Sequence, residues 1–220
     1  MKQFDAVLFD CDGVLVDSEP ITNGVLRQML NEAGWALTPA ECEHHFIGRA
    51  VRDQRALIEA ETGKPLTEEW MRAFYERRNQ RLMAELQAVQ GALDAVIAAH
   101  GHTAGRIACA SGADRPKVVM QIGMAGMARY FEDRIFSGHD LPRSKPHPDV
   151  YLAAAAHLGV DPTRCLVIED TATGAQAGLT AGATVWGYCQ YGDGRAFDGM
   201  PVARVLHHMG ELVQHLAPLR

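Results

Sequence analysis

Asp10, Cys11, Asp12 and Gly13 follow the first apolar run of the chain, so two carboxylates stand two residues apart where a strand would end, with a glycine that lets the backbone turn. Three further polar groups close or follow later apolar runs: Ser111-Gly112, Arg143-Ser144-Lys145-Pro146 and Glu169-Asp170-Thr171. Asp10 and Asp12 can meet one hard cation together with Asp170, and oxygen-only ligation suits Mg2+, which keeps waters and takes phosphate oxygens into its octahedron. Lys145 and Ser111 on the opposite side would bind a dianionic phosphate and offset its charge. The set describes a phosphoryl-transfer site. Any one of these segments alone reads more readily as a turn or a helix cap; their convergence on one edge is what points to chemistry.

Such convergence needs elements that end side by side. Short apolar runs at 6–9, 106–111, 134–138, 165–170 and 184–189 alternate with helical stretches. That rhythm predicts an α/β fold, a Rossmann-like parallel sheet with helices on both faces, whose ligands bind beyond the carboxyl ends of the strands. The interval from about 18 to 90 holds no comparable strand and is rich in helix formers. Trp70, Phe74, Leu82 and Leu86 recur there at near-helical spacing, and Thr38-Pro39-Ala40-Glu41 carries an N-cap, a proline at the first helical position and a glutamate three residues after the cap. The expected division is a catalytic core over 1–15 and 91–220 with an inserted, all-helical cap domain over 16–90.

The composition narrows the partners. With 21 Lys+Arg against 27 Asp+Glu the net charge is −6, which argues against a nucleic-acid partner, whose binders carry a basic footprint. The apolar run near the N-terminus is too short for a signal peptide or a membrane span, so the expectation is a soluble cytoplasmic protein with no membrane partner. Cys11, Cys42, Cys109, Cys165 and Cys189 are odd in number and lack CxxC spacing, and are read as reduced core thiols. Oligomeric state is not encoded in any pattern of this sequence.

In their order and spacing the four segments resemble the haloacid dehalogenase-like superfamily. Asp10-Cys11-Asp12-Gly13-Val14 matches its DxDG[TV] signature, Ser111 its second motif, Lys145-Pro146 its third, and Glu169-Asp170 followed by Gly174 its fourth. The resemblance covers essentially the whole chain. Residues 16–90 look like the helical cap of the branch that includes phosphoglycolate phosphatase, β-phosphoglucomutase and small sugar-phosphate phosphatases, and the segments IFSGHDLPRSKPHPDVY and VIEDTATGAQAGLTAG are similar to the 6-phosphogluconate phosphatase type. The resemblance implies a Mg2+-dependent phosphatase acting on a small phosphorylated metabolite. It implies that Asp10 attacks phosphorus and becomes an aspartyl phosphate, while Asp12 protonates the leaving oxygen and then activates water. Mg2+ would be held by Asp10, the main-chain carbonyl of Asp12 and Asp170, with Glu169 nearby; Ser111, the Gly112 amide and Lys145 would grip the phosphoryl group.

Asp12 favours phosphate esters, because dehalogenases of this superfamily do not keep the second aspartate as acid/base. The mutases carry a cap histidine where this chain has Thr22 followed by Asn23, which favours transfer to water over return to a sugar. A phosphosugar isomerase and a non-catalytic phospholigand-binding module are the competing readings. The second motif also departs from the family, with Gly112 where relatives carry Asn or Ser. Arg49 and Arg52 are candidate substrate contacts or solvated charges, and Asp17-Ser18 a hinge or a helix N-cap. His44-His45 and His100-Gly101-His102 lack metal-ligand spacing, Met120, Met124 and Met127 are read as core or helix-packing residues, and Arg143 as an exposed loop charge.

Overall fold

Strand β1 (Ala6–Phe9) is apolar and buried at every position, as a strand covered on both faces must be. Its side chains alternate between those faces. Ala6 and Leu8 join Ala108, Ala110, Val150, Tyr151, Ala154, Val167 and Ala177 in one core layer. Phe9 faces the other way and meets Phe131 edge-on, with ring centroids 6.3 Å apart. The computed structural model describes residues 4–46, 49, 51–191 and 193–216. The chain divides into two units, Met1–Asp17 with Gln87–Arg220 and Ser18–Leu86.

The second unit carries α1 (Glu19–Ala33), α2 (Pro39–Phe46), α3 (Arg55–Thr62) and α4 (Glu68–Glu85). After β1, the first unit continues with α5 (Ala92–His102), β2 (Ile107–Ser111), α6 (Arg115–Met124), α7 (Ala128–Phe131), β3 (Ile135–Ser137), α8 (Asp149–His157), β4 (Cys165–Glu169), α9 (Ala172–Thr180), β5 (Thr184–Tyr188), β6 (Arg204–Leu206) and α10 (Met209–Leu216). Its six strands are all parallel, in the order β3-β2-β1-β4-β5-β6. The chain walks outward from β1 to one edge and then returns to β4 to build the other. The crevice between β1 and β4 is therefore the switch point where such sheets hold ligands. The short β6 is absent from the sequence expectation because its three residues, one of them the exposed Arg204, form no apolar run; pairing with β5 makes it a strand.

In the helical unit, Val25, Leu26, Met29 and Leu30 of α1 pack with Met71 and Phe74 of α4. The buried face of α4 reads Met71, Phe74, Arg78 and Leu82, whereas Trp70 is half-buried and stacks on Phe74 at 6.0 Å. Arg78 interrupts the apolar stripe, its guanidinium 4.8 Å over the Tyr75 ring, which is why the sequence periodicity is irregular there. Thr38 and Glu41 form a reciprocal capping box: Glu41 accepts the Thr38 amide at 2.8 Å, and Thr38 Oγ1 accepts the Glu41 amide at 3.3 Å. Thr38→Ala should destabilise the protein by about 1 kcal/mol, read as a lowered urea midpoint; an unchanged midpoint would mean that Glu41 alone caps α2.

Ser18 occupies the N-cap position of α1 without a capping hydrogen bond from its side chain. Its backbone is helical (φ −96°, ψ −18°) rather than extended, so the hydroxyl does not turn back on the first amides. Asp17 instead accepts the Tyr191 hydroxyl at 2.9 Å. The five thiols are free and four are buried, Cys189 being half-buried. Met127 is in the core, but Met124 is 43% exposed, so the packing role expected for all three methionines does not extend to it. It is the last residue of α6, whose buried residues are Lys117, Val118, Gln121 and Ile122.

Candidate active site

Strand β4 ends in Glu169 and places Asp170 just beyond, next to Asp10, whose amide donates to the Ile168 carbonyl at 3.0 Å. Lys145 arrives from the segment between β3 and α8. Its Nζ donates to Asp10 Oδ1 at 2.5 Å and to Glu169 Oε1 at 2.6 Å. Glu169 Oε1 also accepts the Tyr151 hydroxyl at 3.0 Å, while its Oε2 accepts the Thr171 amide at 3.0 Å and the Thr171 hydroxyl at 2.9 Å. The ammonium stands 4.9 Å over the Tyr151 ring. All three charged side chains are buried, with exposures of 8%, 9% and 1% for Lys145, Asp10 and Glu169.

Burial sets the electrostatics of this trio. It pushes the Asp10 carboxyl up to about 7; Lys145 pulls against that rise, and Glu169 and Asp12 add to it. Burial also works against the Lys145 ammonium, but the Asp10 and Glu169 carboxylates outweigh it and hold the group well above the usual lysine value. Two glycines make room for the acids. A Cβ at Gly174 would fall on the Glu169 carboxylate, and one at Gly13, where φ is +77°, would fall on that of Asp170.

One carboxylate oxygen from each of Asp10, Glu169 and Asp170 lies within 4.8 Å of the others. The donors are oxygen only, as a hard divalent cation requires, and among the described residues no histidine or cysteine joins such a group. The Glu169 oxygens also accept four donors, the Lys145 ammonium, the Tyr151 hydroxyl and the Thr171 amide and hydroxyl. Ser111 ends β2, two residues past Cys109, which pairs with Phe9, and its Oγ accepts the Ala113 amide at 3.0 Å. At Gly112 an added Cβ would meet only Ser144 Oγ, at 3.8 Å, so the glycine there is not demanded by packing.

Asp12 has partners that the sequence motifs do not announce. Lys117 Nζ lies 2.7 Å from both of its carboxylate oxygens, and Gln121 Nε2 donates to Oδ1 at 2.8 Å. Lys117 is 6% exposed and Gln121 fully buried. Both sit on α6, whose N-cap Asp114 accepts the Lys117 amide at 3.0 Å. The one sequence signal was their spacing of four, which puts two polar side chains on the buried face of a helix alongside Val118 and Ile122. Tyr151 likewise carries no motif of its own, being a single hydroxyl inside the apolar helix α8.

Arg49 is exposed, and Arg52 makes a paired contact with Glu68 at 2.5 and 2.7 Å, an exposed ion pair of small energetic weight. Arg143 is exposed and pairs with Asp149 at 3.0 Å. His102 Nδ1 meets the Leu216 carbonyl at 2.9 Å, a helix-packing contact. No helix among the described residues is long and apolar enough to cross a membrane.

A family model described as haloacid dehalogenase-like hydrolase matches residues 4–182. The chain is 34% identical to 6-phosphogluconate phosphatase of Escherichia coli (strain K12) over 193 residues, 86% of this chain and 84% of the relative. It is 29% identical to a phosphoglycolate phosphatase of Nitrosospira multiformis, covering 95% of each. A solved HAD family hydrolase from Deinococcus radiodurans R1, with bound phosphate and sodium, superposes with a TM-score of 0.80 at 32% identity, covering 100% of both chains.

Proposed function

The chain belongs to the haloacid dehalogenase-like hydrolases, and from that premise we propose that it is a Mg2+-dependent phosphatase of a small phosphorylated sugar or sugar acid, acting through an aspartyl phosphate on Asp10. The observation that carries this reading is the buried Lys145–Asp10 pair at the switch point of the sheet, with Asp170 beside it. A carboxylate kept in place by an ammonium 2.5 Å away is aimed and ready, and the ammonium then serves the phosphoryl oxygens.

In the first half-reaction an Asp10 oxygen attacks phosphorus, the ester P–O bond breaks, and Asp12 gives its proton to the departing alkoxide. In the second, Asp12 takes a proton from water as that water attacks phosphorus, which releases inorganic phosphate and restores the Asp10 carboxylate. Lys145, Ser111 and the Gly112 amide grip the non-bridging oxygens. Asp10, Asp170 and the main-chain carbonyl of Asp12 would hold Mg2+, whose charge offsets the repulsion between a carboxylate nucleophile and a phosphate dianion. Glu169, fixed by Tyr151 and Thr171, keeps Lys145 in position.

The similarity to 6-phosphogluconate phosphatase favours a sugar acid phosphate, and the bound phosphate of the Deinococcus relative supports the phosphate-ester class. The helical unit would act as the cap that excludes water and limits the substrate to small molecules. The test is phosphate release from phosphorylated sugars, sugar acids and phosphoglycolate, with Mg2+ or with EDTA. Release that requires Mg2+ is the expected result. Folded protein that releases nothing from this panel, yet turns over a hexose monophosphate when a sugar bisphosphate is added, would replace the phosphatase with the mutase.

A further inference from the structure

Asp12 has the most demanding task in the proposed reaction, since one short side chain must serve the leaving oxygen and then the attacking water. A carboxylate with two free torsions is poorly suited to this unless something fixes its plane. The structure supplies a fixture on α6. Lys117 contacts both carboxylate oxygens at 2.7 Å, and Gln121, one helical turn on, donates to one of them at 2.8 Å. Three donor contacts from two directions define both the position and the tilt of the group.

The fixture is itself anchored. Asp114 caps α6 and sets where the helix begins, so Lys117 and Gln121 fall on its buried face beside Val118 and Ile122. A lysine 6% exposed and a glutamine fully buried are costly residues in a helix that packs on a sheet, unless the carboxylate they meet is part of what the site needs. Residues 111–121 thus run from the phosphate-gripping Ser111 directly into the support of Asp12.

We infer that Lys117 and Gln121 are positioning residues for Asp12, holding its carboxylate at the angle from which it serves both proton transfers. This inference rests on the phosphatase reading, and its test separates the two. It compares 6-phosphogluconate, whose alkoxide needs a proton to leave, with 2,4-dinitrophenyl phosphate, whose phenolate does not.

Lys117→Met should lower kcat/KM for 6-phosphogluconate by about 100-fold with KM little changed, and leave kcat/KM for the dinitrophenyl ester within about threefold of wild type. Because Asp12 also activates the water, the variant should show a burst of about one dinitrophenolate per active site, followed by a slower steady rate. In an Asp12→Asn background the same substitution should change kcat/KM by less than about twofold, since a residue acting through Asp12 has nothing left to position. Equal losses on both substrates, or a further large loss in the Asp12→Asn background, would overturn the inference and make Lys117 a structural or phosphate-binding residue. Should Lys117→Met fail to fold, Gln121→Met gives the same substrate contrast with a smaller amplitude, and equal losses there would overturn it as well. Wild-type protein that hydrolyses neither ester would instead count against the phosphatase reading.

Discussion

Asp10→Asn should abolish phosphate release, with kcat/KM lower by about 10^4-fold or more, while the protein folds normally. The amide is isosteric with the carboxyl but cannot act as the nucleophile that accepts the phosphoryl group. The fold should survive because the substitution removes a buried charge rather than adding one. Burial already pushes Asp10 up to about 7, so a neutral side chain relieves an unfavourable environment even as it weakens the contact with Lys145. Glu169 remains to pair with the ammonium. The thermal midpoint without Mg2+ should therefore equal or exceed that of wild type, whereas the rise in midpoint on adding Mg2+ should shrink, since a carboxylate of the oxygen cluster has gone. Phosphate assays and paired melts read these outcomes together. A variant with near wild-type turnover would remove Asp10 as the nucleophile, and a full Mg2+ response would move the cation away from it.

Lys145→Met should cost both activity and stability. The substitution leaves Asp10 and Glu169 buried against each other with no cation between them, and breaking a buried pair from one side typically costs about 3–5 kcal/mol. The loss should depend on pH in a defined sense. With Lys145 present the Asp10 carboxyl already sits near 7, and without it the group moves higher still. A carboxyl whose value is raised on folding binds more protons in the folded state than in the unfolded one. Its contribution is fully present below the unfolded value, near 4, and is lost as pH rises through the folded value. In EDTA, Lys145→Met should therefore be closest to wild type at pH 5 and furthest below it at pH 8, as read by urea midpoints. Mg2+ should restore part of the deficit at pH 8 by supplying positive charge to the same carboxylates. A deficit independent of pH would mean that the loss is one of packing over Tyr151 rather than of charge.

Much of the site could be read from the chain because its chemistry depends on residue types at fixed local spacing. Asp10 and Asp12 flank a single residue, Gly13 follows at a positive φ where the chain turns, and Glu169 closes a strand that is buried at all five positions, with Asp170 next to it in the chain. The same holds for β1, β2 and β4, which are buried at every position and read as short, nearly continuous apolar runs, and for the Thr38–Glu41 box, which closes over three residues. Each of these features is decided within one turn or one strand.

The pairings that give those residues their roles were decided elsewhere. Lys145 lies 135 positions from Asp10 and Lys117 lies 105 from Asp12, so which lysine meets which aspartate follows from the order of the strands and the start of α6. Glu169, which the resemblance places near the cation, also meets Lys145 from 24 positions away, with Tyr151 and Thr171 donating to the same carboxylate. The strand β6 exists only because β5 offers an edge to pair with. The sequence by itself determined the chemical inventory of this protein and the sheet edge to which it is delivered, because local spacing and apolar periodicity are properties of short segments. Only the tertiary structure decided which charge faces which, because a buried polar group is satisfied by whatever the packing of distant segments brings within about 3 Å of it.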